Sequence, residues 1–387
     1  MTPCQPAYGG GSILDWVRWA RARVQLDQAD DAGRLLLGAP GGDNRRLVLA
    51  LLDGLGDHYL LREGDGSFMG SCRQGALSSV FPSTTAAAVT TVMTGLSPTE
   101  HGLNGWVSRG HGSTGLFEPL PMIYHDTRKP LRHPLRRRRL FPYRTVFEDL
   151  GCPAFVISPA WLAESDFSLR HSRGAVIAGY RTPEEIPELV AYALERLGPR
   201  GIVYLYLPHF DAVAHDAGMG SEALRTTFHR LDACLARIDA ACRAGHALLT
   251  ATADHGLVDA PEAEMICLGA HADLIECLEM PLWGERRAAF VRCREGMLEA
   301  FQQRFEAHFP DAADWLDAAE ILSRGLMGPG RPHRDIGWRL GDGVLLPRGR
   351  RTIVDAPDPG AVHRHLAVHG GLSAEEMQVP LLLGGIA

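Results

Sequence analysis

The sequence contains no apolar run of the roughly 18 residues that a membrane-crossing helix requires, which excludes a helical span. Its first residues, Met1-Thr2-Pro3-Cys4-Gln5-Pro6, lack the charged start and apolar stretch of an export signal. The eight cysteines, at 4, 72, 152, 234, 242, 267, 277 and 293, never stand in Cys-x-x-Cys spacing. Several lie in apolar or helical surroundings, where buried reduced thiols are the ordinary state, and a cytoplasmic location is expected. An excess of basic charge is also missing. The formal net charge of −7 argues against a general nucleic-acid binder, whose footprint is basic. Internal repeats and low-complexity tracts are absent as well.

What is present is an ordinary globular composition, 45% hydrophobic and 22% charged over 387 residues, enough for one large domain or two. Ser12 to about Leu37 reads as a helix with one apolar stripe, ended by the break at Gly38-Ala39-Pro40. The run Arg46–Leu52 followed by Asp53-Gly54 reads as a buried parallel strand with an acid at its carboxyl end, where ligands bind in open α/β sheets. Further strands are expected at Ala154–Ile157, Ile202–Leu207 and Ala247–Thr252, with helices at Arg144–Leu150, Pro183–Leu197 and Glu222–Arg243. The texture changes between about 261 and 362, where short strands and helices separated by turns suggest an inserted α+β cap. Residues 107–142 carry no periodicity and read as a solvated loop. The arginines from Arg132 to Arg139 leave a phosphate or nucleic-acid patch as the alternative.

Chemistry-bearing residues collect at the predicted strand ends. In Phe81-Pro82-Ser83-Thr84-Thr85, hydroxyls precede a run of small residues able to wind into a helix. A helix N-terminus offers unpaired N–H groups to an anion such as phosphate, although Ser83 or Thr84 could simply cap a core helix. Asp211-x-x-x-His215 sets two ligand types at i and i+4. Asp254 and His255 follow a strand directly, and His369 precedes Gly370-Gly371 and the closing strand. Any one pair has a structural explanation. Together, three aspartates and three histidines suit two zinc-like divalent ions. Two such ions about 4 Å apart clamp an in-line displacement at phosphorus.

The set Leu52-Asp53-Gly54, Phe81–Thr85, Thr94–Gly102, Asp211-x-x-x-His215, Ala253–Gly256 and His369–Gly371 resembles the ordered motifs of the alkaline phosphatase superfamily. The nearest branch is the type I phosphodiesterase/nucleotide pyrophosphatase group, and the resemblance covers 46–260 and 363–387. It implies an α/β core with a mostly parallel central sheet and helices on both faces, formed by 41–260 and 363–387. A helical extension would occupy 1–40 and a cap 261–362. Asp53, Asp254 and His255 would hold one metal beside the nucleophile Thr85, and Asp211, His215 and His369 the other. Zinc is favoured over manganese. The family often has an asparagine on a phosphate oxygen. Ungapped counting puts Trp106 there, with Asn104 two residues short, so either Asn104 takes that role as substrate contact through a different loop path or the phosphate is held without it. The sulfatase branch is set aside, because Cys4-Gln5-Pro6 lies outside the core and continues with Ala7-Tyr8.

The implied activity is hydrolysis of a phosphodiester or pyrophosphate through a phosphothreonine, on a small phosphorylated substrate such as a nucleotide, with no membrane partner. Phosphomonoester or phosphonate hydrolysis on the same site is the first alternative. A non-catalytic binding protein that keeps the fold is the second.

Overall fold

The computed structural model describes residues 4–25 and 45–385. The expected boundary near residue 40 and the second half of the expected N-terminal helix lie outside the described residues. Within them, α1 (Ile13–Gln25) buries Ile13, Trp16, Val17, Ala20 and Val24, one stripe at helical spacing, in the main hydrophobic core. Trp16 Nε1 donates to Thr250 Oγ1 at 2.9 Å. That bond seats the helix on the central sheet and satisfies an indole N–H with no access to water.

The sheet uses β1 (Arg46–Leu52), β2 (Arg73–Ser78), β3 (Ala154–Pro159), β4 (Val176–Tyr180), β5 (Gly201–Leu207) and β6 (Leu248–Thr252). The cap contributes β7 (Trp283–Glu285), β8 (Ala288–Val291), β9 (Ala313–Asp317) and β10 (Gly343–Pro347), and β11 (Gln378–Leu383) returns to the core. The central order is β2-β11-β6-β1-β5-β3-β4. β1 lies between β5 and β6, parallel to both, and β5, β3 and β4 pair in parallel, whereas β11 runs antiparallel to β2 and β6. β1 is buried along its whole length after Arg46. Such a strand needs apolar residues at both parities, which is why its sequence is a continuous run. Flanking helices cover the sheet: α2 (Thr85–Thr94) packs against α1, and α5 (Glu222–Ala244) against α3 (Ile186–Arg196) and α4 (His209–Ala217). All eight cysteines carry free thiols. Among the described residues no helix is long and apolar enough to cross a membrane.

The cap strands form an antiparallel sheet, β7-β8-β10-β9, backed by α6 (Leu298–His308) through Phe301 and Phe305. Residues 107–142, expected to be a solvated loop, are instead built into this layer. They form three short strands, Ser108–Arg109, Leu116–Glu118 and Ile123–Tyr124, and a helix, Pro134–Leu140. The arginine run is largely spoken for. Arg136 reaches the Tyr124 hydroxyl, Arg137 pairs with Asp166 at 2.6 Å, and Arg139 with the buried Asp335 at 2.6 Å. These bonds give three arginines of the cluster partners within the chain.

Cap and core are tied by Arg287 and Glu376, both buried. The guanidinium donates to Glu376 at 3.1 and 2.8 Å, and to the carbonyls of Pro347, Gly349 and Arg351. Glu376 also accepts the Gly371 N–H at 2.8 Å, so the pair pins the loop that carries His369. Burial alone would raise the Glu376 carboxyl, but Arg287 outweighs it and holds it below the usual range. Truncating one member leaves the other charged and unpaired, and Arg287→Ala is expected to cost about 3–5 kcal/mol. Denaturant unfolding measures this, and a cost under about 1 kcal/mol would place the pair among weak surface bridges.

Candidate active site

Every sequence-predicted ligand stands at the carboxyl end of the central sheet. Asp53 follows β1 and its N–H donates to Leu207 O of β5 at 3.0 Å. Gly54, at φ 78°, is required there, since a Cβ would meet Leu257 at 2.7 Å and Asp211 at 2.9 Å. Asp211 and His215 share one face of α4, with Asp211 Oδ2 and His215 Nε2 3.2 Å apart. Asp254 Oδ1 accepts the N–H groups of Gly54 and His255, both at 3.0 Å, which aims its other oxygen inward. His369 arrives from the far end of the chain, and its ring stacks on His255 with centroids 3.6 Å apart.

The three imidazoles are oriented alike. Nδ1 of His215 faces Ala367 O at 2.7 Å, that of His255 faces Gly256 O at 3.1 Å, and that of His369 faces Ser83 O at 3.0 Å. Carbonyls only accept, so each Nδ1 carries a proton and Nε2 of a neutral ring presents a lone pair to the site, whereas without a metal Nε2 of a protonated His215 donates to Asp211. Around them, Asp53 Oδ1, Asp211 Oδ1 and Asp254 Oδ2 are buried without a hydrogen-bond partner among the described residues. Two groups of ligand atoms within 4.8 Å of one another result: Asp53, Asp254 and His255, and Asp211, His255 and His369. His255 belongs to both, and His215 abuts the second through Asp211. Orphaned carboxylate oxygens facing imidazole lone pairs fit divalent cations of the zinc type.

The electrostatics agree. Burial and the neighbouring charges of Asp254 and Asp211 push the Asp53 carboxyl well above its ordinary value, and burial raises Asp254 too. Asp211 goes the other way: burial opposes ionisation, but the hydrogen bond and charge of His215 hold its carboxyl low. Burial and the adjacent His255 keep His369 neutral, well below the usual histidine value. Three buried acids cannot all ionise at close range without a cation among them.

Thr85 is the first residue of α2, and its Oγ1 lies 3.1 Å from His255 Nε2. Neither neighbour caps the helix with its side chain. Ser83 Oγ donates to Gly371 O at 2.8 Å, and Thr84 Oγ1 donates to Glu285 Oε1 of the cap at 2.5 Å. The helix N-terminus is thereby left to an anion beside Thr85. Asn104 is placed elsewhere. Fully buried, it donates through Nδ2 to Arg339 O at 2.7 Å and accepts from Ser108 at 3.0 Å. These two hydrogen bonds tie the 104–109 loop to the cap rather than to Thr85 or the metal-ligand set. The Trp106 N–H donates to Glu285 at 2.7 Å, so this loop meets the site through Glu285. Two site residues escaped the sequence reading. Tyr206 of β5 donates its hydroxyl to Asp53 Oδ2, and its position five residues before Asp211 on a buried strand was the available signal. Glu285 had none, because only the cap's folding brings it in.

Residues 47–371 match the sequence profile of the family described as type I phosphodiesterase / nucleotide pyrophosphatase. A comparison with curated protein sequences finds no match. Among solved structures, an inactive threonine-to-alanine variant of murine ectonucleotide pyrophosphatase / phosphodiesterase 5 in complex with AMP is similar, with TM-score 0.67 and 17% identity over 89% of this chain and 88% of that one. The human protein of the same name gives 0.64 and 16%, over 88% of each chain. Phosphonoacetate hydrolase from Sinorhizobium meliloti 1021 in complex with phosphonoformate gives 0.63 and 20%, over 88% of this chain and 90% of that one. The structural likeness shows a shared fold, and the profile match spans most of the sequence: the chain belongs to the type I phosphodiesterase/nucleotide pyrophosphatase family.

Proposed function

We propose that this chain is a metal-dependent phosphohydrolase that cleaves a phosphodiester or pyrophosphate bond, with Thr85 as nucleophile and two divalent ions, zinc favoured, held by Asp53, Asp254 and His255 and by Asp211, His215 and His369. The reading rests on one observation above all. Three carboxylate oxygens without partners and three imidazole nitrogens converge beside a hydroxyl at an uncapped helix N-terminus. Bound ions would supply the positive charge that lowers the hydroxyl's pKa and stabilises charge developing at phosphorus. The chain does the rest. The N-terminus of α2 orients the phosphoryl oxygens, and Thr85 Oγ1 forms its bond to phosphorus while the bond to the leaving oxygen breaks. The hydroxyl proton passes to solvent. Water then cleaves the phosphothreonine, restores the hydroxyl and releases the product. A neighbour of this fold is inactive as a threonine-to-alanine variant and binds AMP, which supports a threonine-based reaction on a small phosphorylated ligand.

Phosphonate hydrolysis is the second reading, favoured by the likeness to phosphonoacetate hydrolase. Hydrolysis of bis-p-nitrophenyl phosphate against p-nitrophenyl phosphate, after chelation and return of zinc or manganese, separates diester from monoester cleavage, and turnover of phosphonoacetate under the same conditions tests the second reading. Metal-dependent preference for the diester is expected. Preference for the monoester would keep the site and overturn the substrate class.

A further inference from the structure

A second meeting of histidine and carboxylate lies in the cap and shares no residue with the six proposed ligands: His271, Asp273 and His308. Each offers one ligand atom, and the three atoms lie within 4.8 Å of one another. His308 is the last residue of α6, while His271 and Asp273 stand at the start of a short helix, Ala272–Ile275. The backbone around them is well held. The His271 carbonyl accepts the N–H groups of Leu274 and Ile275 at 3.0 and 3.2 Å, its own N–H donates to Leu268 O at 2.9 Å, and Arg304 donates to the Asp273 carbonyl. Leu274 and Phe305 anchor the two elements in one apolar cluster of the cap. Their apolar neighbours take the buried side, so the three polar side chains are left together at the surface, with Asp273 and His308 44% and 34% exposed.

The contacts among the three suit a shared cation better than a salt bridge. His308 Nε2 is nearly equidistant from the two Asp273 oxygens, at 3.1 and 3.0 Å. A single N–H between them is shared and well aligned to neither. The His271 ring lies against that of His308, with centroids 4.2 Å apart, and Phe309 meets it edge-on at 4.9 Å. Two imidazoles at that range repel each other if both are protonated, whereas two neutral rings can turn lone pairs to one ion beside a carboxylate. Tetrahedral zinc binds nitrogen and oxygen at about 2.0–2.2 Å, which sets neighbouring ligand atoms about 3.4 Å apart. The His308–Asp273 separation is within a few tenths of an ångström of that spacing. The carboxyl end of α6 also favours positive charge beside His308. Arg304 is close, but its NH1 is turned to the Asp273 carbonyl and, at 3.4 Å, to Cys277 Sγ rather than to the carboxylate. Two imidazoles and one carboxylate select zinc and its neighbours over magnesium or calcium, which take oxygen ligands.

We propose that His271, Asp273 and His308 bind a further divalent ion of the zinc type, apart from the catalytic centre and with water as its fourth ligand, and that this ion staples the segment around Asp273 to the end of α6. Open to water, the site is weaker than the buried catalytic set and fills only at excess zinc, after the ions at the sheet. Calorimetric titration of the chelated full chain with excess zinc, checked by elemental analysis, tests it. His271→Ala and His308→Ala are each expected to bind one ion fewer than the unaltered chain, with diester turnover unchanged and with the same difference in the presence of magnesium or calcium. The difference between proteins carries the result, so it stands whatever number of ions the catalytic centre takes. Equal zinc content in the unaltered chain and both variants overturns the assignment. Loss of turnover together with the ion would place that ion in the catalytic centre and overturn it as well. Diethylpyrocarbonate labelling with peptide mapping reads the site in the unaltered chain. At free zinc about 10 times the dissociation constant, labelling of His271 and His308 is expected to slow about 10-fold, while the exposed His229 reacts at one rate throughout. Labelling of His271 and His308 that zinc leaves unchanged overturns the proposal.

Discussion

Thr85→Ala is expected to lower turnover by about three orders of magnitude or more while the protein keeps its fold and two metal ions per chain. The geometry separates these effects. Among the described residues the Thr85 hydroxyl makes one hydrogen bond in the site, 3.1 Å to His255 Nε2, and the six proposed ligands are held by other groups. Asp254 is fixed by two backbone N–H groups, and each histidine by a carbonyl at Nδ1. Losing one hydroxyl at the first position of a helix whose core face is alanine and valine disturbs little packing. Steady-state kinetics on a diester, with metal content by elemental analysis, reads both halves. Thr84→Ala is the control, because its hydroxyl is committed to Glu285 of the cap and its loss moves the cap strand rather than the reacting group. Full activity in Thr85→Ala would remove it as nucleophile, and equal loss in Thr84→Ala alone would shift the role by one residue.

The sequence disclosed these parts unequally, for physical reasons. β1, β5 and β6 are buried on both faces and must be apolar throughout, so they stood out as runs, and their acids fell at the carboxyl ends by the geometry of parallel sheets. β2 was missed because it is a half-exposed edge strand whose Arg73 and Gln74 break the run. The region 107–142 was misread because its strands are two or three residues long, too short for any periodicity to register. At the site, the metal-ligand candidates were legible since each lies within a local motif. Asn104 was not, because its partner Arg339 is 235 residues away.

Stripping the metals should abolish turnover and lower the melting temperature, by an amount that grows with pH. In the stripped site Asp53 and Asp254 have carboxyls raised by burial, Asp53 also by its acidic neighbours. An acid whose folded pKa lies above its unfolded value of 3.8 favours the folded state while protonated. That contribution is complete below the unfolded value and is lost as pH rises through the folded one. Asp211, held low by His215, contributes in the opposite sense, above its unfolded pKa. As pH rises through the raised values of Asp53 and Asp254 the stripped site loses their contribution, whereas His369, held low, favours the folded state as pH rises through the usual histidine value, and ions bind better as protons cease to compete for their ligands. At free metal about 100 times the dissociation constant, each ion adds about 2.7 kcal/mol, so the pair is worth several degrees in a chain of this size. Scanning calorimetry with and without chelator at three pH values measures the gap. No gap, or one that narrows as pH rises, would overturn the assignment of the buried acids as ligands. His369→Ala divides the effect. It removes one nitrogen from the group with Asp211 and His255 and leaves Asp53, Asp254 and His255 intact. One ion of two should be lost, with about half the thermal gap. Undiminished metal content in that variant would mean that His369, which the loop after the cap brings against His255, is there for packing alone.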